Sequence, residues 1–117
     1  MGVIGCGYWG PNLVRNFSKL QNTQLVSVAD LAPVKLESIR RLYPFLQTWD
    51  DPMRLIESPD VDAVAIATPI ATHYALARAA LEHGKHVLVE KPLTATVAEA
   101  EELIALAESN QIGRAHV

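Results

Sequence analysis

The sequence predicts an α/β protein with a doubly wound parallel sheet, and three observations support that fold class. A short apolar run at the N-terminus leads directly into a glycine-rich turn. Further β-prone runs then alternate with amphipathic helical segments along the whole chain. Several of these runs end in polar residues or proline. Because consecutive parallel strands are joined by right-handed crossovers, we expect the strand order 3-2-1-4-5.

In the first half of the chain, helical spacing and proline positions predict three helices. Residues 13–20 repeat apolar side chains at helical spacing after Pro11, which suits a first helical turn. A second helix is predicted from Pro33 to just before Pro44, and Asp51 is predicted to cap a short third helix. The strands predicted between these helices span residues 25–29 and 45–48.

The second half contains the most apolar predicted strand, residues 61–67, whose side chains are mostly small, as suits a central parallel strand. The alanine-rich segment 71–83 predicts a helix, and Gly84 stands where a glycine commonly terminates one. Thr96 with Glu99 forms a capping box. The remaining predicted elements are a strand at 86–89 and a last helix that runs to about residue 110.

Length and composition favour one domain of 117 residues, with half of its residues apolar and able to form a core. The net charge is −3, from 10 Lys and Arg against 13 Asp and Glu, and no basic block is present, which disfavours nucleic-acid binding. The apolar runs are far shorter than the roughly 20 residues of a membrane helix. No secretory leader is visible, so we expect a cytoplasmic protein without membrane association.

A single cysteine, Cys6, excludes an intramolecular disulfide and a multi-cysteine metal site. The histidines and carboxylates show no pair at metal-ligand spacing on a common face, so no metal is predicted.

The glycine-rich turn has the pattern Gly5-x-Gly7-x-x-Gly10. Gly5 would allow a sharp turn, Gly7 would let backbone N–H groups approach a pyrophosphate, and Gly10 would let a helix pack on the strand. Tyr8 and Trp9 lie within the same turn, and Trp9 is placed to cover the bound cofactor or to pack beneath the loop. The alternative is a glycine-rich turn that binds no ligand.

Asp30 follows Gly10 by 20 residues, at the end of the second predicted strand. A carboxylate at that position accepts hydrogen bonds from the adenosine ribose and repels a 2′-phosphate. The next two residues, Leu31 and Ala32, supply no cation that could hold such a phosphate. These features favour NAD over NADP. The alternative is that Asp30 only caps a loop.

In the predicted topology, the turns 5–10, 30–31, 68–69 and 90–92 converge on one crevice. Lys91 at the end of the last predicted strand could bond a substrate hydroxyl and stabilise a developing alkoxide. Glu90 could pair with Lys91 or position a nicotinamide; a solvated ion pair is the alternative. His73 could reach substrate or cofactor from the same side, or it could be bonded to backbone or water.

Three segments together resemble the N-terminal half of a Gfo/Idh/MocA family oxidoreductase. They are the run from Gly5 to Asn12, Ala67-Thr68-Pro69 with His73, and the run from Gly84 through Glu90-Lys91-Pro92 to Leu93. The resemblance implies a Rossmann domain followed by a substrate domain. It also implies NAD(P)-dependent oxidation or reduction of sugars, cyclitols and related alcohols.

The resemblance implies roles for single residues. Lys91 corresponds to the family's catalytic-site lysine. Thr68, Pro69, His73 and Glu90 would line the nicotinamide side. The residues implied to bind the dinucleotide are Gly5, Gly7, Gly10 and Asp30. The Gly-Tyr-Trp-Gly-Pro-Asn variant of the turn is similar to members associated with nucleotide-sugar metabolism.

The tail from Gly113 to Val117 departs from the family pattern, because it does not resemble the apolar sixth strand that the resemblance implies. We therefore expect a chain truncated before that strand and before the substrate domain, with little turnover of its own. The fifth strand would be an open edge, which favours self-association. A non-catalytic dinucleotide-binding module and a non-functional fragment are the alternatives.

Overall fold

The computed structural model describes residues 1–5, 15, 24–89, 96–109 and 114–116. Within them, six parallel strands form one sheet in the order β3-β2-β1-β4-β5-β6. The predicted order of the first five strands is confirmed. The strands are β1 (Gly2–Ile4), β2 (Ser27–Ala29), β3 (Gln47–Trp49), β4 (Ala63–Ile66), β5 (His86–Val89) and β6 (Arg114–His116).

The helices in the described ranges are α1 (Pro33–Leu42), α2 (Pro52–Glu57), α3 (His73–Glu82) and α4 (Val97–Ser109), and a 3₁₀ turn at Ile70–Thr72 leads into α3. The longest of these has 13 residues. None of them combines the length and the apolarity that crossing a bilayer requires. The predicted helix at 13–20 lies outside the described residues, apart from Arg15.

Two apolar cores cover the two faces of the sheet, which is what a doubly wound fold requires. Successive residues of a strand point to opposite faces. Val3 and its cross-strand neighbours Val28 and Ala65 therefore join the core that contains Leu36 of α1. Residues one position further along pack with α2, α3 and α4 in the other core; they include Ile4, Ala29 and Ile66. The predicted α/β fold class is confirmed.

The helix ends follow local signals in the sequence. Asp51 caps α2, where its side chain accepts a hydrogen bond of 3.0 Å from the Met53 N–H. Gly84 has φ of 75° just after α3, in the left-handed region that glycine adopts without strain. Thr96 accepts from the Glu99 N–H at 3.2 Å ahead of α4. These three capping predictions are confirmed.

The tail departs from its prediction. Arg114–His116 forms β6, which pairs in parallel with β5 in the register Val87 to Arg114 and Val89 to His116. Parallel pairing is made by backbone N–H and C=O groups, so a strand does not need an apolar sequence to join the sheet. The expectation of a chain without a sixth strand, with β5 as an open edge, is wrong.

Candidate functional site

A cavity of 820 Å³ lies at the carboxyl ends of β1, β2 and β4. β1 pairs with β2 on one side and with β4 on the other, so the crossovers leave the central strand in opposite directions. Open parallel sheets bind ligands at this switch point. The volume falls within the roughly 300–1,000 Å³ that is typical of small-molecule pockets. The cavity is therefore the candidate site, and the fold places it where the topology predicts.

Gly5 forms one wall of the cavity, at the point where the chain leaves β1. Its φ is 100°, which side chains rarely permit. A Cβ atom at this position would lie 2.7 Å from the carbonyl oxygen of Ala67 and 3.0 Å from the methyl group of Thr68. The turn after β1 and the loop after β4 are therefore packed together without room for a side chain between them.

Asp30 follows β2 and is half-buried at the edge of the cavity. One carboxylate oxygen accepts a 2.7 Å hydrogen bond from the Ala32 N–H, which orients the side chain. The Asp30 N–H in turn donates to the Trp49 carbonyl at 3.1 Å, so the residue is also tied to β3. The cavity thus has an oriented carboxylate at the position where sequence spacing predicted a ribose-binding acid.

Lys35 brings a cation to the same cavity, a position that was not predicted from the sequence. Of the described lining residues, only Asp30 and Lys35 carry a charge. Lys35 lies in the first turn of α1. Helical side chains lean toward the N-terminus of their helix, and α1 begins beside the cavity. Pro33 as the helix start, followed by a lysine two residues later, is the signal that could have identified it.

The loop after β4 supplies the opposite wall through Thr68 and Pro69. Hydrogen bonds within the segment hold it in place. The Thr72 Oγ1 lies 2.6 Å from the Thr68 Oγ1 and 2.7 Å from the Pro69 carbonyl oxygen. The Thr72 N–H donates to the same carbonyl at 2.9 Å. The side chain of Thr72 therefore fixes both cavity residues from the 3₁₀ turn.

His73 begins α3 and is only 2% exposed. Its Nε2 lies 2.7 Å from the Thr68 carbonyl oxygen, the backbone bond that was one of the two interpretations of this residue. It is not among the described residues that line the cavity. The structure therefore places His73 beneath the Thr68–Pro69 loop.

Apolar side chains complete the described part of the cavity, and they had no predicted role in the site. Leu31 is 76% exposed beside Asp30, although large apolar side chains are usually buried. Ala71, Ala75 and Leu76 contribute from α3 and the turn before it. Only the folded arrangement brings these residues together, since they come from two distant stretches of the chain. They form an apolar surface next to an oriented carboxylate.

The structure thus brings Gly5, Asp30, Thr68 and Pro69 to one cavity, as predicted, and places His73 behind one of its walls. The other predicted site residues lie outside the described part of the chain; they are Gly7, Tyr8, Trp9, Gly10, Glu90 and Lys91.

The chain is similar to known oxidoreductases in sequence and in fold. Residues 1–113 match a family model described as the oxidoreductase family with an NAD-binding Rossmann fold, GFO_IDH_MocA. The chain is 38% identical over 112 residues to an uncharacterized oxidoreductase, YdgJ, of Escherichia coli, covering 93% of this chain and 31% of that protein. It is also 38% identical over 105 residues to inositol 2-dehydrogenase of Rhodococcus jostii, covering 89% of this chain and 29% of that enzyme.

Among solved structures, the fold is similar to that of biliverdin reductase from Synechocystis, crystallised with biliverdin and NADP⁺. The TM-score is 0.93 at 30% identity, over 98% of this chain and 36% of that one. The chain therefore spans about a third of the length of these relatives.

Proposed function

The chain belongs to the Gfo/Idh/MocA oxidoreductase family, and from this membership we propose that it is the cofactor-binding part of an NAD-dependent oxidoreductase. The observation that carries the proposal is the convergence of Gly5, Asp30 and the Thr68–Pro69 loop on one cavity. The substrate class that we propose is a sugar, a nucleotide sugar or a cyclitol. Similarity to an inositol 2-dehydrogenase supports the cyclitol member of this class.

The described residues fit a dinucleotide. The tight approach at Gly5 leaves backbone, with no side chain, at the start of the turn that would face a pyrophosphate. The Asp30 carboxylate can accept hydrogen bonds from the adenosine ribose. The apolar surface of Leu31, Ala71 and Leu76 suits the flat adenine ring. In this proposal Gly7, Tyr8, Trp9 and Gly10 extend the same binding surface.

The carboxylate of Asp30 makes NAD the preferred cofactor in this proposal, since it repels a 2′-phosphate. Lys35 acts in the opposite sense, because it offers a positive charge at the same cavity. Asp30 directly follows β2, the position from which a carboxylate hydrogen-bonds the ribose hydroxyls of a bound dinucleotide. We therefore rank NAD ahead of NADP.

Bound NAD supplies the hydride acceptor. In the proposed reaction, Lys91 hydrogen-bonds the substrate hydroxyl and stabilises the negative charge that develops on its oxygen. Glu90 pairs with Lys91 or positions the nicotinamide, and Thr68 and Pro69 line the nicotinamide side. These roles follow from the resemblance of the Glu90-Lys91-Pro92 motif to that of the family.

We propose that residues 1–117 form one dinucleotide-binding domain whose partners are small molecules in the cytoplasm. The relatives are about three times as long, so the substrate pocket of the proposed enzyme is assigned to sequence beyond the matched region. In this scheme the 117 residues bind cofactor with little turnover. Self-association through the edge of β5 is not part of the proposal, because β6 occupies that edge.

Isothermal titration of the purified chain with NAD and with NADP tests the proposal. We expect saturable binding of NAD and weaker binding of NADP. Replacing Asp30 with Ala should weaken NAD binding about tenfold, as expected for a hydrogen-bonded carboxylate. Asp60→Ala is the matched control, because Asp60 is an exposed acid in the turn before β4, at the opposite end of the strands.

Circular dichroism of each variant shows whether it is folded. A folded wild-type chain that binds neither cofactor would overturn the proposed function. Tighter binding of NADP than of NAD would overturn the cofactor preference alone. Equal weakening by Asp30→Ala and Asp60→Ala would remove Asp30 from the binding site.

A further inference from the structure

His73 is one of two buried polar or charged residues in the described part of the chain; the other is Ser27. Imidazole has two ring nitrogens and is costly to bury without hydrogen bonds. Because His73 is only 2% exposed at the first position of α3, its ring needs a hydrogen-bond partner within the protein. The Thr68 carbonyl oxygen, 2.7 Å from Nε2, is such a partner.

The chemistry of this bond determines which ring nitrogen must carry a hydrogen. A carbonyl oxygen only accepts, so the Nε2 atom must carry the hydrogen and donate it. The bond joins α3 to the loop after β4 and directs the Thr68 carbonyl at the buried ring. Thr72 holds the same loop from its exposed side, through the Thr68 hydroxyl. The loop is thus held from two sides by consecutive residues.

Gly5 lies where the loop after β4 packs against the turn after β1. The Ala67 carbonyl and the Thr68 methyl group occupy the space where a Gly5 side chain would lie, at 2.7 and 3.0 Å. The Ala67 N–H also donates to the Ile4 carbonyl at 2.8 Å. We expect a shift of the Thr68 loop to displace the start of the glycine turn. The two walls of the cavity are therefore packed against each other at Gly5, Ala67 and Thr68.

We infer that His73 is a positioning residue that sets the two cavity walls through the Thr68 carbonyl, and that it does not contact substrate or cofactor. The inference rests on the proposed function, because its effect is expressed as cofactor affinity. It replaces the direct role that the resemblance implied for His73. The ring acts from below the Thr68–Pro69 loop, and Thr68, Pro69 and Gly5 present the surface.

Two substitutions of His73 distinguish the effect of its hydrogen bond to Thr68 from the effect of side-chain packing. His73→Leu fills the space without a donor, whereas His73→Gln places an amide N–H near the position of Nε2. We expect His73→Leu to raise the Kd for NAD about fivefold to tenfold, the range that follows from the loss of one hydrogen bond. His73→Gln should restore the affinity to within about twofold of wild type. Titration calorimetry on variants shown to be folded gives these values.

Two matched controls lie at the far end of the same helix. Leu81→Ala removes buried side chain from α3 and should lower the thermal stability without changing the Kd. His83→Gln alters an exposed histidine whose Nδ1 is 2.8 Å from the Ala79 carbonyl, and it should change neither quantity. A Kd that rises as much in Leu81→Ala as in His73→Leu would overturn the inference, since the effect would then be general destabilisation.

A second readout does not depend on cofactor. Long-range ¹⁵N NMR of labelled histidine reports which ring nitrogen carries the hydrogen, and we expect the Nε2–H tautomer for His73. An Nδ1–H tautomer would overturn the inference whether or not NAD binds. A wild-type chain that shows the Nε2–H tautomer but binds no cofactor would instead contradict the proposed function. Wild-type affinity in folded His73→Leu would overturn the positioning role alone.

Discussion

Two glycines in the described part of the chain share a positive φ but differ in what surrounds them. Gly5 has φ of 100° and no space for a Cβ atom, whereas Gly84 has φ of 75° and nothing within 4 Å of such an atom. Substituting each glycine with alanine therefore separates two contributions to the free energy of unfolding. One is the cost of a positive φ for a residue with a side chain, and the other is the cost of a steric contact with the new Cβ atom. It also tests how tightly the two walls of the cavity are joined.

Gly84→Ala should lower the free energy of unfolding by about 1–2 kcal/mol, the cost of a left-handed conformation alone. Gly5→Ala should lower it by at least about 1 kcal/mol more, because the new methyl group meets a backbone carbonyl that cannot move aside by rotating. Urea unfolding followed by circular dichroism measures both. Equal losses would show that the turn after β1 and the loop after β4 separate easily.

Lys35 provides a second prediction at the level of single residues, on cofactor choice. Replacing it with Gln removes a cation from the described lining of the cavity. We expect NADP affinity to fall about threefold to tenfold and NAD affinity by less than about twofold, because only NADP carries the 2′-phosphate. Arg41→Gln, an exposed cation at the other end of α1, should change neither. Equal effects on both cofactors would assign Lys35 to another part of the ligand.

At the level of elements, α3 and α4 are joined on their outer surface by three side chains. The Tyr74 hydroxyl donates to Glu102 at 2.5 Å, and Arg78 donates to the same carboxylate at 2.9 Å and to the Tyr74 oxygen at 2.8 Å. Arg78 also bonds Glu82 at 2.8 Å. Exposed ion pairs of this kind add little stability singly, so the titration of the tyrosine is the more sensitive readout.

The hydrogen bond to Glu102, followed by burial, raises the pKa of the Tyr74 hydroxyl above its ordinary value. The folded chain therefore holds this proton more tightly than the unfolded chain. The resulting stability is present below the unfolded pKa, about 10, and is lost as the pH rises through the raised value.

Absorbance at 295 nm between pH 9 and 12, compared with Tyr74→Phe, isolates this titration. Glu102→Gln should lower the pKa of Tyr74, because it removes the first of its causes. Glu82→Gln removes a carboxylate that bonds Arg78 and should leave that pKa nearly unchanged. A Tyr74 pKa that Glu102→Gln leaves unaltered would show that α3 and α4 are not joined through this bond.

The elements also show where sequence reasoning is strong. α1 begins at Pro33 and α2 follows its Asp51 cap, as predicted, because a helix-starting proline or a side-chain cap involves only a few neighbouring residues. Strand ends were placed less well: β4 spans Ala63–Ile66 within the predicted 61–67, and β2 begins at Ser27 within the predicted 25–29. A strand ends where its partner stops pairing, and a single run of residues does not contain that information.

Across the whole molecule, the alternation of strands and helices was sufficient to predict the strand order and the position of the cavity, because handedness and connectivity leave few arrangements. The role of His73 and the position of Lys35 could not be derived in this way. Each depends on how a loop or a helix start lies against the sheet, which is decided by packing between distant residues. β6 was not predicted because strand pairing is made by backbone groups, so the side chains of residues 114–116 give little indication of it.

Two adjacent residues of β1 belong to different cores, Val3 to one and Ile4 to the other. This has a practical consequence for recombining homologous proteins. A crossover point within β1 would combine side chains from different parents in both cores. The turn at Pro59 and Asp60 is a better junction, because both residues are exposed and neither belongs to a core. Chimaeras joined there would exchange β4, α3 and their loop as a block, and the contacts around His73 would be inherited from one parent.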